Sequence, residues 1–217
     1  MTEPINRRPL RVREQPWVHS VTKWCLRKGF TPNSISLWSI VFSAIGAAEL
    51  LLVAWSPWFV AAPILLTVPI MLGMRGMCNL IDGLLAVEGG LKTKSGEVFN
   101  DVPDRISDSL LFVAAGYAAA SLSLGWAAAL LAVGTAYVRM LGGALKAKQY
   151  FDGPMAKQTR MAVLSMACLA GATERIILGT LISIQVGLLV IIIGSVWTIV
   201  RRLRKIVVEL ESGSPVV

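Results

Sequence analysis

Two stretches decide how this chain is read: Arg75-Gly76-Met77-Cys78-Asn79-Leu80-Ile81-Asp82-Gly83-Leu84-Leu85-Ala86-Val87 and Gly96-Glu97-Val98-Phe99-Asn100-Asp101-Val102-Pro103-Asp104-Arg105-Ile106-Ser107-Asp108. Each joins a long apolar run to a group of carboxylates and amides. Residues three and four apart share a helical face. Arg75, Asn79 and Asp82 therefore lie on one side of the first helix. Asn100, Asp104 and Asp108 form a stripe on the second, and Asp101 joins it through Asp104 and Asp108. Ionisable groups at membrane depth are costly, and they mark function. Four carboxylates in one pocket repel each other unless a cation lies among them. Oxygen donors without His or Cys favour a hard ion, Mg²⁺ or Mn²⁺. Acids also cap helix N-termini; that accounts for Asn100 and Asp101, but not for Asp108, two turns in, or Asp82, on another helix.

Outward from these stretches the chain is apolar. Of 217 residues, 55% are hydrophobic and 16% charged, against about a quarter charged in soluble domains. A span needs about 20 mostly apolar residues. Six segments qualify: Ser34–Trp55, Val60–Leu80, Val102–Ala120, Leu122–Leu145, Met155–Thr173 and Leu178–Val200. The second is expected to continue as helix toward Val87. Thr31-Pro32 supplies a cap and a first-turn proline for the first span. Before it, Trp17, Val18, Val21, Trp24 and Cys25 fall on one face of an interfacial helix that carries His19 at its surface. The expected fold class is thus all-α integral membrane, six transmembrane helices with an N-terminal amphipathic interfacial helix. Residues 1–30 form the tail and interfacial helix, 31–205 the six-span domain, and 206–217 a second tail, disordered from Glu211.

The net charge of +8 suggests nucleic acid as a partner, but its distribution excludes that. Arg7, Arg8, Arg11, Arg13, Lys23, Arg27 and Lys28 precede the first span. Lys92 and Lys94 lie after the second, Lys146, Lys148, Lys157 and Arg160 after the fourth, and Arg201, Arg202, Arg204 and Lys205 after the sixth. The opposite loops hold only Arg175. This pattern places both termini and the loops after the second and fourth spans in the cytoplasm, at the inner membrane, and the acid cluster on the same side. The three cysteines are scattered and read as small apolar residues, and no cleavable leader is visible. Gly153-Pro154 breaks the chain before Lys157 and Arg160, which share a face at a helix start, a favourable place for a phosphate. Arg139, two turns before that loop, reaches toward the same pocket.

These residues resemble a family. The CDP-alcohol phosphotransferases carry D-x-x-D-G-x-x-A-R, seven or eight residues, then G-x-x-x-D-x-x-x-D. Asp82, Gly83, Ala86, Gly96 and Asp104 match, with the same spacing; Asn79, Asn100 and Val87 replace two aspartates and the arginine. The resemblance implies a homodimeric membrane enzyme of phospholipid synthesis. It would move a substituted phosphate from a CDP-linked lipid to an alcohol acceptor, with phosphorylated ones such as glycerol 3-phosphate among the candidates, and release CMP. It implies Mg²⁺ or Mn²⁺ held by Asn79, Asp82, Asn100 and Asp104, with Asp101, outside the family pattern, restoring charge that the two asparagines lack. Gly83, Ala86 and Gly96 would make room for the nucleotide, and Lys157, Arg160 and Arg139 would bind an acceptor phosphate. Asp104 is the expected base, with Asp108 as its substitute. The alternatives are a non-catalytic homologue that binds lipid or nucleotide, and an ion or proton transporter. Against transport, the acids cluster at one membrane edge and form no relay.

Overall fold

The computed structural model describes residues 15–213 except 92 and 94. The basic residues expected at Arg7, Arg8, Arg11, Arg13, Lys92 and Lys94, and tail residues 214–217, lie outside the described residues. The described chain is helical: α1 (Pro16–Arg27), α2 (Pro32–Trp55), α3 (Trp58–Val87), α4 (Gly96–Ala118), α5 (Leu122–Ala144), α6 (Lys157–Ile177) and α7 (Ile182–Ser212). Thr31 caps α2 in a reciprocal capping box with Ser34, and Pro32 opens the helix. α3 runs through two prolines to Val87, as its apolar run suggests. The tail expected from Glu211 is shorter: α7 stays helical through Ser212 and closes on the left-handed Gly213.

The span count differs from the sequence expectation. Four helices, α2, α3, α5 and α7, are long and apolar enough to cross a membrane. α4 and α6 are of spanning length but fall below that apolarity, because α4 carries the acidic stripe and α6 has charges at both ends. The chain is nonetheless an all-α, multi-pass membrane protein. Its large apolar side chains face outward along the long helices, as at Leu52, Ile70, Leu130 and Ile193.

Helices α2 to α7 close a ring. α2 packs on α3, α3 on α6, α6 on α7, α7 on α5, α5 on α4, and α4 back on α2. α1 lies outside the ring against α3, through Val18 and Cys25, and His19 Nδ1 sits 3.0 Å from Glu88 Oε2 at the end of α3. One half of the ring is filled by the main apolar core, including Leu50, Leu65, Phe112, Leu164 and Leu188. The other half, at the N-terminal ends of α2, α4 and α6 and the C-terminal ends of α3, α5 and α7, holds the buried charges.

Candidate functional site

The polar half of the ring encloses a cavity of about 490 Å³. Asn79 from α3 and Asn100, Asp101 and Asp104 from α4 line it, as do Arg139, Lys157 and Arg160. Asp82 and Asp108 are not among its lining residues, although both are buried. Neither are Gly83, Ala86 and Gly96. The small residues that do open onto the cavity are Gly73, Gly76, Ala136 and Ala156, so its room on α3 lies about two turns earlier than the motif suggests. Six cationic side chains line the cavity against two carboxylates, which makes it a site for an anion.

Three buried acids organise this end. Asp108 has no exposure and is gripped on both oxygens: Arg75 donates to Oδ1 at 2.6 Å and Arg160 to Oδ2 at 2.8 Å. Arg160 also donates to Thr135 Oγ1 and the Met155 carbonyl, both at 3.0 Å. Asp104, one turn earlier, accepts from the Lys157 ammonium at Oδ2, while its Oδ1 lies 3.5 Å from Arg75. Asp82 accepts from Ser36 Oγ on α2 at 2.6 Å. Arg75, Lys157 and Arg160 thus match Asp82, Asp104 and Asp108 in number. A buried charge survives only when paired and hydrogen-bonded.

Asp101 turns away from this group. Both of its oxygens accept from Arg139 Nη2, at 2.7 and 2.5 Å, and Arg139 in turn lies over the Phe151 ring at 5.2 Å. Asn79 donates its amide to the Arg75 carbonyl at 3.0 Å, which leaves its own carbonyl oxygen to accept.

The donor chemistry can be set against a divalent ion. Asp82 Oδ1 and Asp104 Oδ1 are buried and make no hydrogen bond. Like the amide carbonyls of Asn79 and Asn100 they are hard oxygen donors, of the kind such an ion takes. Among the described residues no three His, Cys, Asp or Glu side chains converge as metal ligands, because Asp101 and Asp108 are held by arginines.

The sequence reading missed Ser36, Arg105, Thr135, Phe151 and Arg202. Arg202 looked like a flanking charge after the last span. It is 5% exposed, lines the cavity, and donates to the Thr135, Phe151 and Asp152 carbonyls at 2.6, 3.1 and 2.9 Å. Ser36 had a signal, two turns of α2 in which serines at 36, 39 and 43 recur on one face of an apolar span. The others had none short of the packing itself.

No family model matches the chain. It is 28% identical over 151 residues to the Inner membrane protein YnbA of Escherichia coli, covering 69% of this chain and 72% of that one. Among solved structures it resembles the phosphatidylinositol phosphate synthase of Mycobacterium tuberculosis. The form with CDP-DAG bound aligns at TM-score 0.66 and 19% identity, over 87% of this chain and 92% of that one. The form in complex with manganese and citrate aligns at TM-score 0.67 and 18% identity, over 87% and 88%.

Proposed function

From a chain with the fold of the CDP-alcohol phosphotransferases, we propose an enzyme of phospholipid synthesis. It transfers a substituted phosphate from a CDP-linked lipid to an alcohol acceptor and releases CMP. The observation that carries this reading is the cavity, where Asp104 and two amides face a surplus of cations at one end of a membrane bundle. An anionic diphosphate suits the cations, and a lipid tail has the apolar outer face of the helices beside it. A divalent ion, held by Asp82, Asp104, Asn79 and Asn100, would neutralise charge on the diphosphate and polarise the phosphorus.

The chain's own residues divide the remaining work. Asp104, which lines the cavity, takes the acceptor hydroxyl proton; Asp108 is unsuited, since it lies outside the cavity lining with both oxygens held by guanidiniums. Lys157, with 27% of its side chain exposed, has ammonium protons beyond the one given to Asp104 and meets an acceptor phosphate. Arg139, braced by Asp101 and Phe151, presents a fixed cation beside it. Arg160 acts from behind, by holding Asp108. A phosphorylated acceptor such as glycerol 3-phosphate suits this arrangement better than a neutral alcohol. All six helices α2 to α7 cross the membrane in this reading, with the cavity and both termini at the cytoplasmic side, where CDP head groups are found.

The test is CMP release from CDP-diacylglycerol with Mn²⁺ and a panel of acceptors. Release with a phosphorylated acceptor is expected, Asp82→Asn should abolish it, and chelation should stop it. Full activity in a chelator-treated sample would overturn the metal-assisted reading. A second reading, binding without transfer, is favoured by Asn79 and Asn100 standing where the family carries aspartates; retention of the lipid with no CMP released would establish it.

A further inference from the structure

We propose that the site takes one divalent ion, and that the Lys157 ammonium stands where a four-carboxylate site would hold a second. The inference rests on the reading above for the ion itself and goes beyond it in stoichiometry. Asp82 and Asp104 together present four oxygens, and two are already used. Ser36 donates to Asp82 Oδ2 at 2.6 Å and Lys157 donates to Asp104 Oδ2. One oxygen of each carboxylate is left, buried and without a hydrogen bond, that of Asp104 lying 3.5 Å from the Arg75 guanidinium. Paired metal ions a few ångströms apart are commonly bridged by shared oxygen ligands, and carboxylates serve this way when both oxygens are free. Asp104 has only one to give.

The neighbouring acids do not make up the difference. Asp101 spends both oxygens on Arg139, and Asp108 one each on Arg75 and Arg160. Drawing either into a metal shell would strand a guanidinium, and a buried unpaired cation is strongly unfavourable. Charge gives the same answer. Arg75, Arg105, Arg139, Lys157, Arg160 and Arg202 already outnumber Asp82, Asp101, Asp104 and Asp108 at this end. A nucleotide-linked diphosphate offsets one divalent ion; a second would add two more charges to a pocket that is cationic without it. The ion and the diphosphate therefore enter together.

The experiment counts ions and does not depend on catalysis. Chelator-stripped protein in detergent is titrated with Mn²⁺, with and without CDP-diacylglycerol, and bound ion is read by electron paramagnetic resonance. The wild type is expected to bind one Mn²⁺ per chain, with the spectrum of an isolated ion and at least tenfold more tightly when the CDP-lipid is present. The variant combining Lys157→Met, Asn79→Asp and Asn100→Asp, shown to be folded by its elution and circular dichroism, should bind two ions with an exchange-coupled spectrum. A coupled pair in the wild type, no bound Mn²⁺ in it, or a folded triple variant still limited to one ion would each overturn the proposal. One bound ion with no CMP release would sink the transferase reading and leave this inference standing.

Discussion

Lys157 and Arg160 are three residues apart on one helical face, yet they do different work. Arg160 is 2% exposed and carries four groups' worth of order: Asp108, Thr135, the Met155 carbonyl and, through Asp108, Arg75. Removing one partner of a buried ion pair costs about 3–5 kcal/mol. Arg160→Ala is therefore expected to lose the folded state, seen as a large drop in the thermal midpoint in detergent. Lys157→Ala should stay folded and instead raise the acceptor KM about ten- to hundredfold, the worth of one charge-assisted contact at about 1.5–3 kcal/mol. Equal thermal losses in the two variants would refute this division. Much of this end was legible in the sequence, because helical spacing alone aligns Asn79 with Asp82 and Asn100 with Asp104. What the sequence did not contain was which cation meets which acid. Arg75 shares a face of α3 with Asp82 yet holds Asp108, since that choice depends on how α3, α4 and α6 rotate about their axes.

At the scale of elements, α7 acts as a post to which the α5–α6 connection is tied. Thr198 Oγ1 accepts from the Met155 amide at 3.0 Å, and Glu209 accepts from the Lys148 amide and the Tyr150 hydroxyl. Gly153 takes φ +134° with its Cα against Thr198; a Cβ there would lie 2.5 Å from Thr198 Cγ2, so only glycine fits. Asp152 sits 3.0 Å from both Arg201 and Lys205. Burial works to raise its pKa, but the Lys205 hydrogen bond and charge, with Arg201 behind, win and hold the carboxyl below its ordinary value. A lowered folded pKa gives stability that is present above the unfolded pKa, about 3.9, and lost as pH falls through the folded one. Asp152→Asn should thus lower the thermal midpoint at pH 7, and the gap from wild type should close below about pH 4. A gap that persists in acid would assign the effect to something other than this charge. The α4–α5 hairpin makes a second demand. A Cβ on Gly116 would lie 2.6 Å from Gly125 Cα, so Gly116→Ala must push two backbones apart. An overpacking loss of about 1–3 kcal/mol is expected in thermal unfolding, and an unchanged midpoint would contradict the close crossing. The sequence displays both glycines but not their meeting, which is a property of the pair of helices.

For the molecule as a whole, we propose that α4 and α6 cross the membrane with the four plainly apolar helices. Length permits it: at 1.5 Å per residue, 23 and 21 residues reach about 35 and 32 Å, against a hydrocarbon core of about 30 Å. Charge does not forbid it. Asp104 and Asp108 point into the ring and are paired there, while the α6 charges sit at its two ends, Lys157 and Arg160 at one and Glu174 and Arg175 at the other. The ring also favours it, because α4 lies between α2 and α5, and α6 between α3 and α7. The two topologies separate cleanly by surface labelling. The native cysteines Cys25, Cys78 and Cys168 are all buried, which keeps the background low. Single cysteines at the exposed positions Ser95, Ser123, Lys148 and Thr180 report the four loops or helix ends between α3 and α7. With six crossings, an impermeant maleimide should label Ser123→Cys and Thr180→Cys from one side, and Ser95→Cys and Lys148→Cys from the other. If only the four apolar helices cross, Ser95→Cys and Ser123→Cys fall on the same side, as do Lys148→Cys and Thr180→Cys. That pairing would overturn the six-crossing arrangement. It would also put Lys148, in the connection tied down by α7, on the opposite side from Ser95, just ahead of the acidic stripe of α4.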